Sequence, residues 1–119
     1  MKILNLTQHT ATQEQVAQGV YEPQNKKAIQ GLITFIKAPS KEAMINRAIE
    51  LACVMDAEGA TFCMIGGAPY FQGTLERVLK EFGFKPLYSF TERKVVENTN
   101  EKGEVVKTAI FSHVGWVEV

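Results

Sequence analysis

Three short stretches hold most of the side chains able to do chemistry: Asn5 to Thr10, Gly66 to Gln72 and Ser89 to Arg93. Asn5, Thr7, Tyr70, Gln72, Ser89 and Thr91 supply hydrogen-bonding groups. His9 supplies a ring that titrates near neutrality, and Arg93 a fixed charge able to grip phosphate through two parallel bonds. Gly66 and Gly67 add backbone N–H groups with no Cβ in the way. Phosphate or a nucleotide suits this set better than a metal. The two histidines, His9 and His113, have no carboxylate or thiol at ligand spacing, so neither metal ligands nor a cofactor are expected.

Each residue also has an ordinary reading. His9 stands in a loop before a helix, where histidines are commonly exposed or bonded to backbone. Arg93 can pair with Glu92 or Glu97 instead of a ligand, and Asn5 and Thr7 can tie the loop down by bonding to backbone N–H groups. For His113 and Trp116 the usual reading is a strand position and a buried or interface aromatic.

The segment from Ala60 to Gly83 is the element that must position the central stretch. Thr61 to Ile65 is a short apolar run, too brief for a helix and typical of a strand covered on both faces. Gly66 and Gly67 predict a tight turn, and Pro69 suits the first turn of a helix. Phe71, Leu75, Val78, Leu79 and Phe82 then mark one helical face, with Gly83 as the stop. A strand feeding a helix through such a turn aims N–H groups and the positive end of the helix dipole above the sheet edge, which favours anions. The spacing is neither that of a dinucleotide fingerprint nor of a P-loop, and no lysine follows the glycines. Two glycines that merely allow a close helix-strand crossing remain the alternative.

The other elements follow in order. Lys2 to Leu6 predicts a strand, and Thr10 with Gln13 a capping box for a helix running through Val16 to Gly19. Val20 to Pro39 is the least legible region: Asn25 can cap a helix through Ala28, Ile29 and Leu32, while Ile33 to Ile36 could equally be strand, and helix is preferred. Ser40 caps the longest helix, whose stripe of Met44, Ile45, Ala48, Ile49, Leu51, Ala52 and Met55 ends at Gly59. Lys85 to Arg93 predicts a third strand. Lys94 to Thr99 and Glu104 to Phe111 flank a four-residue loop as a hairpin, and Ser112 to Val119 continues the last strand with a bulge or bend at Gly115.

Strand and helix in alternation predict a single α/β domain over residues 1–119, a Rossmann-like mixed sheet of four to five strands. Its core is parallel, its C-terminal hairpin antiparallel, and helices cover both faces. Ligands of such sheets bind beyond the carboxyl ends of the strands, where the three polar stretches would meet.

Lys plus Arg and Asp plus Glu each total 13, so no basic field gathers duplex nucleic acid. With no secretory segment and no apolar run near about 18 residues, the chain reads as cytoplasmic with no membrane contact. Cys53 and Cys63 lie in an apolar helix and strand and read as small hydrophobes.

The stretches ILNLTQHTATQEQ and MIGGAPYFQGTLERVLKEFGFKPLYSFTER resemble a family of small, mostly uncharacterised bacterial and phage proteins. More distantly, the Asn5-Thr7-His9 strand tip and the architecture are similar to CRISPR-associated Rossmann-like proteins that sense cyclic oligoadenylates, some of them ring nucleases. That resemblance implies a homodimer holding a symmetric nucleotide, with Asn5, Thr7 and His9 near its phosphates. Two functions stay open. One is a nucleotide- or phosphate-binding domain, extended to metal-independent cleavage of a cyclic oligonucleotide with His9 and Arg93 catalytic. The other is a non-enzymatic interaction module of phage or prophage origin whose hairpin forms a dimer edge.

Overall fold

Five strands form one sheet in the computed structural model, which describes residues 1–119. They are β1 (Ile3–Asn5), β2 (Val20–Tyr21), β3 (Phe62–Ile65), β4 (Lys85–Thr99) and β5 (Val105–Glu118), and they lie in the order β2-β1-β3-β4-β5. β1 runs parallel to both β2 and β3, and β3 runs parallel to the start of β4, with Ile3 beside Phe62 and Ile65 beside Tyr88. β5 returns antiparallel along all but the first two residues of β4. This is the expected mixed α/β sheet, parallel at its core and antiparallel at its C-terminal side.

Four helices connect the strands: α1 (Gln13–Ala17), α2 (Lys26–Ile33), α3 (Lys41–Glu58) and α4 (Pro69–Glu81). Asn25 and Ser40 cap α2 and α3 as their residue types predict, accepting from the N–H groups of Ala28 and Ala43 at 3.1 and 3.0 Å. Gly59 ends α3 at φ 66°, where a Cβ would be strained. Arg47 of α3 closes the carboxyl end of α2 by donating to the Thr34 carbonyl at 2.6 Å, its guanidinium 4.3 Å from the Phe35 ring centre.

Alternation along the strands sorts two faces. Leu4, Leu6, Cys63 and Ile65 join the apolar sides of α2, α3 and α4 in the larger core. Ile3, Val20, Met64 and Leu87 form a smaller core on the other face, packed by Trp116. There α1 provides the helical cover, and it buries none of its own residues. Polar bonds hold it: Gln15 to Ser89, and Gln18 to His113.

Several expectations change. The capping box of α1 is Thr12 with Gln15, two residues later than Thr10 with Gln13, because the Ala11 N–H is bonded to Glu22 at 3.1 Å and keeps the chain extended to that point. β2 is an added strand at Val20–Tyr21, where none is expected from sequence; the preferred helix forms as α2 and ends at Ile33, and the alternative strand over Ile33 to Ile36 does not form, Ile36 being 94% exposed. Cys53 is exposed, so only Cys63 serves as a core hydrophobe, with burial pushing its thiol up to about 12. Ile49 and Phe82 also face outward rather than into the core.

The turn into β2 depends on Gly19. At φ 106°, a Cβ there would sit 1.9 Å from the Met1 carbonyl oxygen. Gly19→Ala is expected to cost about 2 kcal/mol or more through backbone strain and this collision. Urea denaturation measures it, and an unchanged midpoint would contradict the stated geometry.

β4 and β5 continue beyond the body as a two-stranded arm closed by Asn100, whose Oδ1 accepts from the N–H groups of Lys102 and Glu104 at 2.9 Å. The molecule measures 56 × 35 × 25 Å with a radius of gyration of 17.1 Å, against about 13.5 Å for a compact chain of this length. No helix is long and apolar enough to cross a membrane.

Candidate functional site

Where β1, β3 and the paired part of β4 end, a cavity of about 450 Å³ opens beside α1. Its lining draws on three separate stretches of chain: the Thr7 to Thr12 loop, the Gly66-Gly67 turn, and Tyr88-Ser89. Thr7, His9, Gly66, Gly67 and Ser89 are thus brought together.

Asn5 builds the first wall. Wholly buried at the tip of β1, its Oδ1 accepts from the Thr7 N–H at 2.9 Å and the Thr7 hydroxyl at 2.6 Å. Its Nδ2 donates to the His9 carbonyl at 2.8 Å and to both Glu22 carboxylate oxygens at 3.0 Å. Lys26 completes the knot from α2, donating to Glu22 at 2.8 Å and to the Thr7 and His9 carbonyls at 3.1 Å. Every polar atom of the Asn5 amide is therefore spent on holding the loop, while the His9 side chain stays exposed at the cavity. Burial alone would raise Glu22, but bonds from Lys26, Asn5 and the Ala11 N–H, with the Lys26 charge, outweigh it and hold the carboxyl below its usual range.

The floor is the glycine turn. Gly67 sits at φ 141°, which L-residues rarely adopt, whereas Gly66 has no such demand and a Cβ there would meet only Thr7 Cγ2 at 3.9 Å. Ala68 precedes α4 without any side-chain cap, and Pro69 opens the helix as expected. Gln72 is 9% exposed, and its Oε1 has no partner. The amide lies under the turn, with Nε2 3.6 Å from the place a Cβ of Gly67 would occupy.

The third wall is β4. Ser89 lies beside the cavity mouth and bonds His113, while Tyr88 faces the larger core, where burial and then the Glu76 charge push its phenol up to about 12. It stays protonated at neutral pH.

Other candidates lie elsewhere. Tyr70 is turned away from the cavity and packs edge-on against Phe35, ring centres 5.7 Å apart. Thr91 and Arg93 are exposed on β4 past the bulge at Phe90/Thr91, opposite His113 and Phe111 of β5. Strand alternation puts Arg93 on the same side of the sheet as Ser89 but about 13 Å farther along it. It makes no ion pair with Glu92 or Glu97, which pair with Lys94 and Lys107.

Glu22, Lys26, Gln15, Gln18 and His113 contribute to the site without having been singled out as site residues by sequence. Glu22 and Lys26 stand four residues apart, but Glu22 precedes Pro23 and lies outside α2, so helical spacing gives no signal for the pair. For Gln18 and His113, 95 positions apart, no local pattern exists.

Residues 1–117 match a family profile. The chain belongs to the uncharacterized protein MJ1673 family. Neither a curated protein nor a solved structure matches it. Membership covers nearly the whole chain, so the fold and the cavity both fall inside the family's extent.

Proposed function

We propose that the cavity binds a small phosphate compound, a nucleotide above all. The observation that carries this reading is the Gly66-Gly67 turn at the carboxyl ends of parallel strands, leading into a helix that no side chain caps. Such a turn offers N–H donors and a positive dipole end to an anion. The lining holds neither Lys nor Arg, so affinity rests on these donors, on the threonine hydroxyls and on His9. A single phosphoryl group suits that set better than a triphosphate.

Thermal denaturation with a nucleotide panel tests it. A ligand at 100 times its dissociation constant adds about 2.7 kcal/mol of stability. A panel of mono-, di- and cyclic nucleotides and inorganic phosphate that leaves the midpoint unmoved would end this reading.

The catalytic form of the reading extends it to metal-independent phosphodiester cleavage of a cyclic oligonucleotide, as in the ring nucleases. His9 would act as acid or base on the 2′-hydroxyl, and the turn would stabilise phosphate charge. Arg93 serves only a ligand that extends from the cavity along β4, as an oligonucleotide does. Arg93→Ala is therefore expected to weaken an oligonucleotide about tenfold or more while leaving a mononucleotide's affinity unchanged. Titration calorimetry with both ligands separates these, and equal loss for both would contradict the assignment.

A second reading is a homodimer formed through the arm, in the manner of an interaction module, and one observation favours it. β5 is a 14-residue edge strand, and Phe90, Val95, Ile110 and Phe111 on the arm are all about half exposed or more. The arm carries both signs of charge, Glu92, Glu97, Arg93, Lys94 and Lys107, so two copies related by a two-fold axis can set opposite charges against each other. Light scattering that shows a monomer at high micromolar concentration would remove it, and Phe111→Glu is expected to dissociate a dimer.

A further inference from the structure

We infer that Ser89 is an activated nucleophile at the cavity wall, with His113 as its base and Gln18 as the group that orients the imidazole. The Ser89 hydroxyl lies 2.5 Å from His113 Nδ1, and His113 Nε2 lies 2.6 Å from Gln18 Oε1. An amide oxygen can only accept, so Nε2 carries the ring proton and Nδ1 presents its lone pair to the serine. Gln15 Nε2 donates to the same hydroxyl oxygen at 3.3 Å, and the Ser89 O–H donates to the unprotonated Nδ1 of His113.

The surroundings fit the role. His113 is 6% exposed, and Trp116 lies against it with ring centres 4.4 Å apart. Burial lowers its pKa, against an opposing pull from Glu14, so the ring stays neutral and able to accept. The bulge that leaves Val114 unpaired brings His113 opposite Thr91, two residues from Ser89 on the same side of β4. Nucleophile, base and orienting group thus come from β4, β5 and the residue that ends α1, and the nucleophile opens into a cavity of about 450 Å³. α1 buries nothing apolar, and its two bonds to this group are among the few that hold it to the sheet.

The substrate class is a phosphoester, an assignment that rests on the phosphate reading of the cavity. The Ser89 Oγ–P bond forms as its proton passes to His113 Nδ1, and the bond from phosphorus to the leaving oxygen breaks. That oxygen departs as an alcohol with the proton returned by His113. Water then attacks phosphorus, its proton goes to His113, and the Oγ–P bond breaks to restore the serine hydroxyl.

The test is labelling of the native protein with a small fluorophosphonate, read by peptide mass spectrometry. Oγ–P forms, P–F breaks, and fluoride leaves. The chain has two other serines, Ser40 and Ser112, as internal controls. The expected result is one adduct, on Ser89, at least tenfold faster than on either control. Gln18→Leu should slow labelling about tenfold and Gln18→Glu, which keeps an acceptor, should restore it, with thermal midpoints confirming that both variants fold. Equal labelling of all three serines, or no adduct on folded protein, would overturn the inference. Labelling of Ser89 in a protein whose midpoint no nucleotide moves would keep the nucleophile and reject the phosphoester, so the two readings fail separately.

Discussion

Asn5→Ala is expected to destabilise the protein by about 2–4 kcal/mol, the largest effect of any single polar replacement in the molecule. The side chain is fully buried and its amide meets Thr7, His9 and Glu22 at 2.6 to 3.0 Å. Truncation leaves the Thr7 N–H without its acceptor and takes one donor from Glu22 and one from the His9 carbonyl, which keeps Lys26 and the Thr7 hydroxyl at 3.1 Å. The near-isosteric Asn5→Asp sharpens the test. It keeps an acceptor for Thr7 but sets a second carboxylate against Glu22.

Wild type and Asn5→Asp should depend on pH in opposite ways. In the native protein the Glu22 carboxyl is held below its usual range, so its contribution is present above the unfolded pKa and is lost as pH falls through the folded one. In Asn5→Asp the paired carboxylates retain a proton, the folded pKa is raised, and stability is lost as pH rises through it. Urea denaturation from pH 4 to 8 should show the variant's deficit growing with pH. A deficit that is constant or shrinks would mean that Asn5 and Glu22 do not share a bond.

Gly66→Asp is expected to weaken phosphate binding by about 100-fold while changing stability little. Gly66 has no left-handed backbone demand, and an added Cβ finds only an ordinary contact with Thr7. A carboxylate would therefore fit, and at about 5 Å from a bound anion it repels by about 3 kcal/mol at an effective dielectric of about 20. Gly66→Ser, which adds a hydroxyl without charge, should bind within a few-fold of wild type. Calorimetry with inorganic phosphate and a mononucleotide reads both, and equal losses in the two variants would assign the effect to shape and not to charge.

How much of this could be read from residues alone follows from the range of the interactions. β3, the glycine turn and α4 are specified within 22 residues by apolar period, two glycines and a proline, and all three were legible. α3 announced both its ends through Ser40 and Gly59. β2 did not, because two residues carry no period: Val20 and Tyr21 are strand only through pairing with Ile3 and Leu4. The α1 cap shifted because Thr10-Ala11-Thr12-Gln13 and Thr12-Gln13-Glu14-Gln15 both satisfy the capping pattern, and a bond from Glu22 decided between them.

The site divides along the same line. Three polar strand tips were legible from alternation, since a parallel sheet places its carboxyl ends side by side, and Thr7, His9, Gly66, Gly67 and Ser89 do share one cavity. Strand period places Arg93 with them, since it cannot show where a hairpin leaves the body. Tyr70 turned away because Phe35, in the poorly legible region, offers its ring a partner. His113 found Ser89 and Gln18 across 24 and 95 positions, and such a meeting is visible only once the sheet order is known.

The central claim is that a ligand enters between the Thr7 loop, the glycine turn and Ser89. Amide chemical-shift mapping of isotope-labelled protein, titrated with a mononucleotide, tests it residue by residue. Saturable shifts are expected at Thr7, Gln8, His9, Gly66, Gly67 and Ser89, with the arm from Val95 to Val106 unmoved. Shifts confined to the arm, or none at any of those six residues under saturating nucleotide, would contradict it.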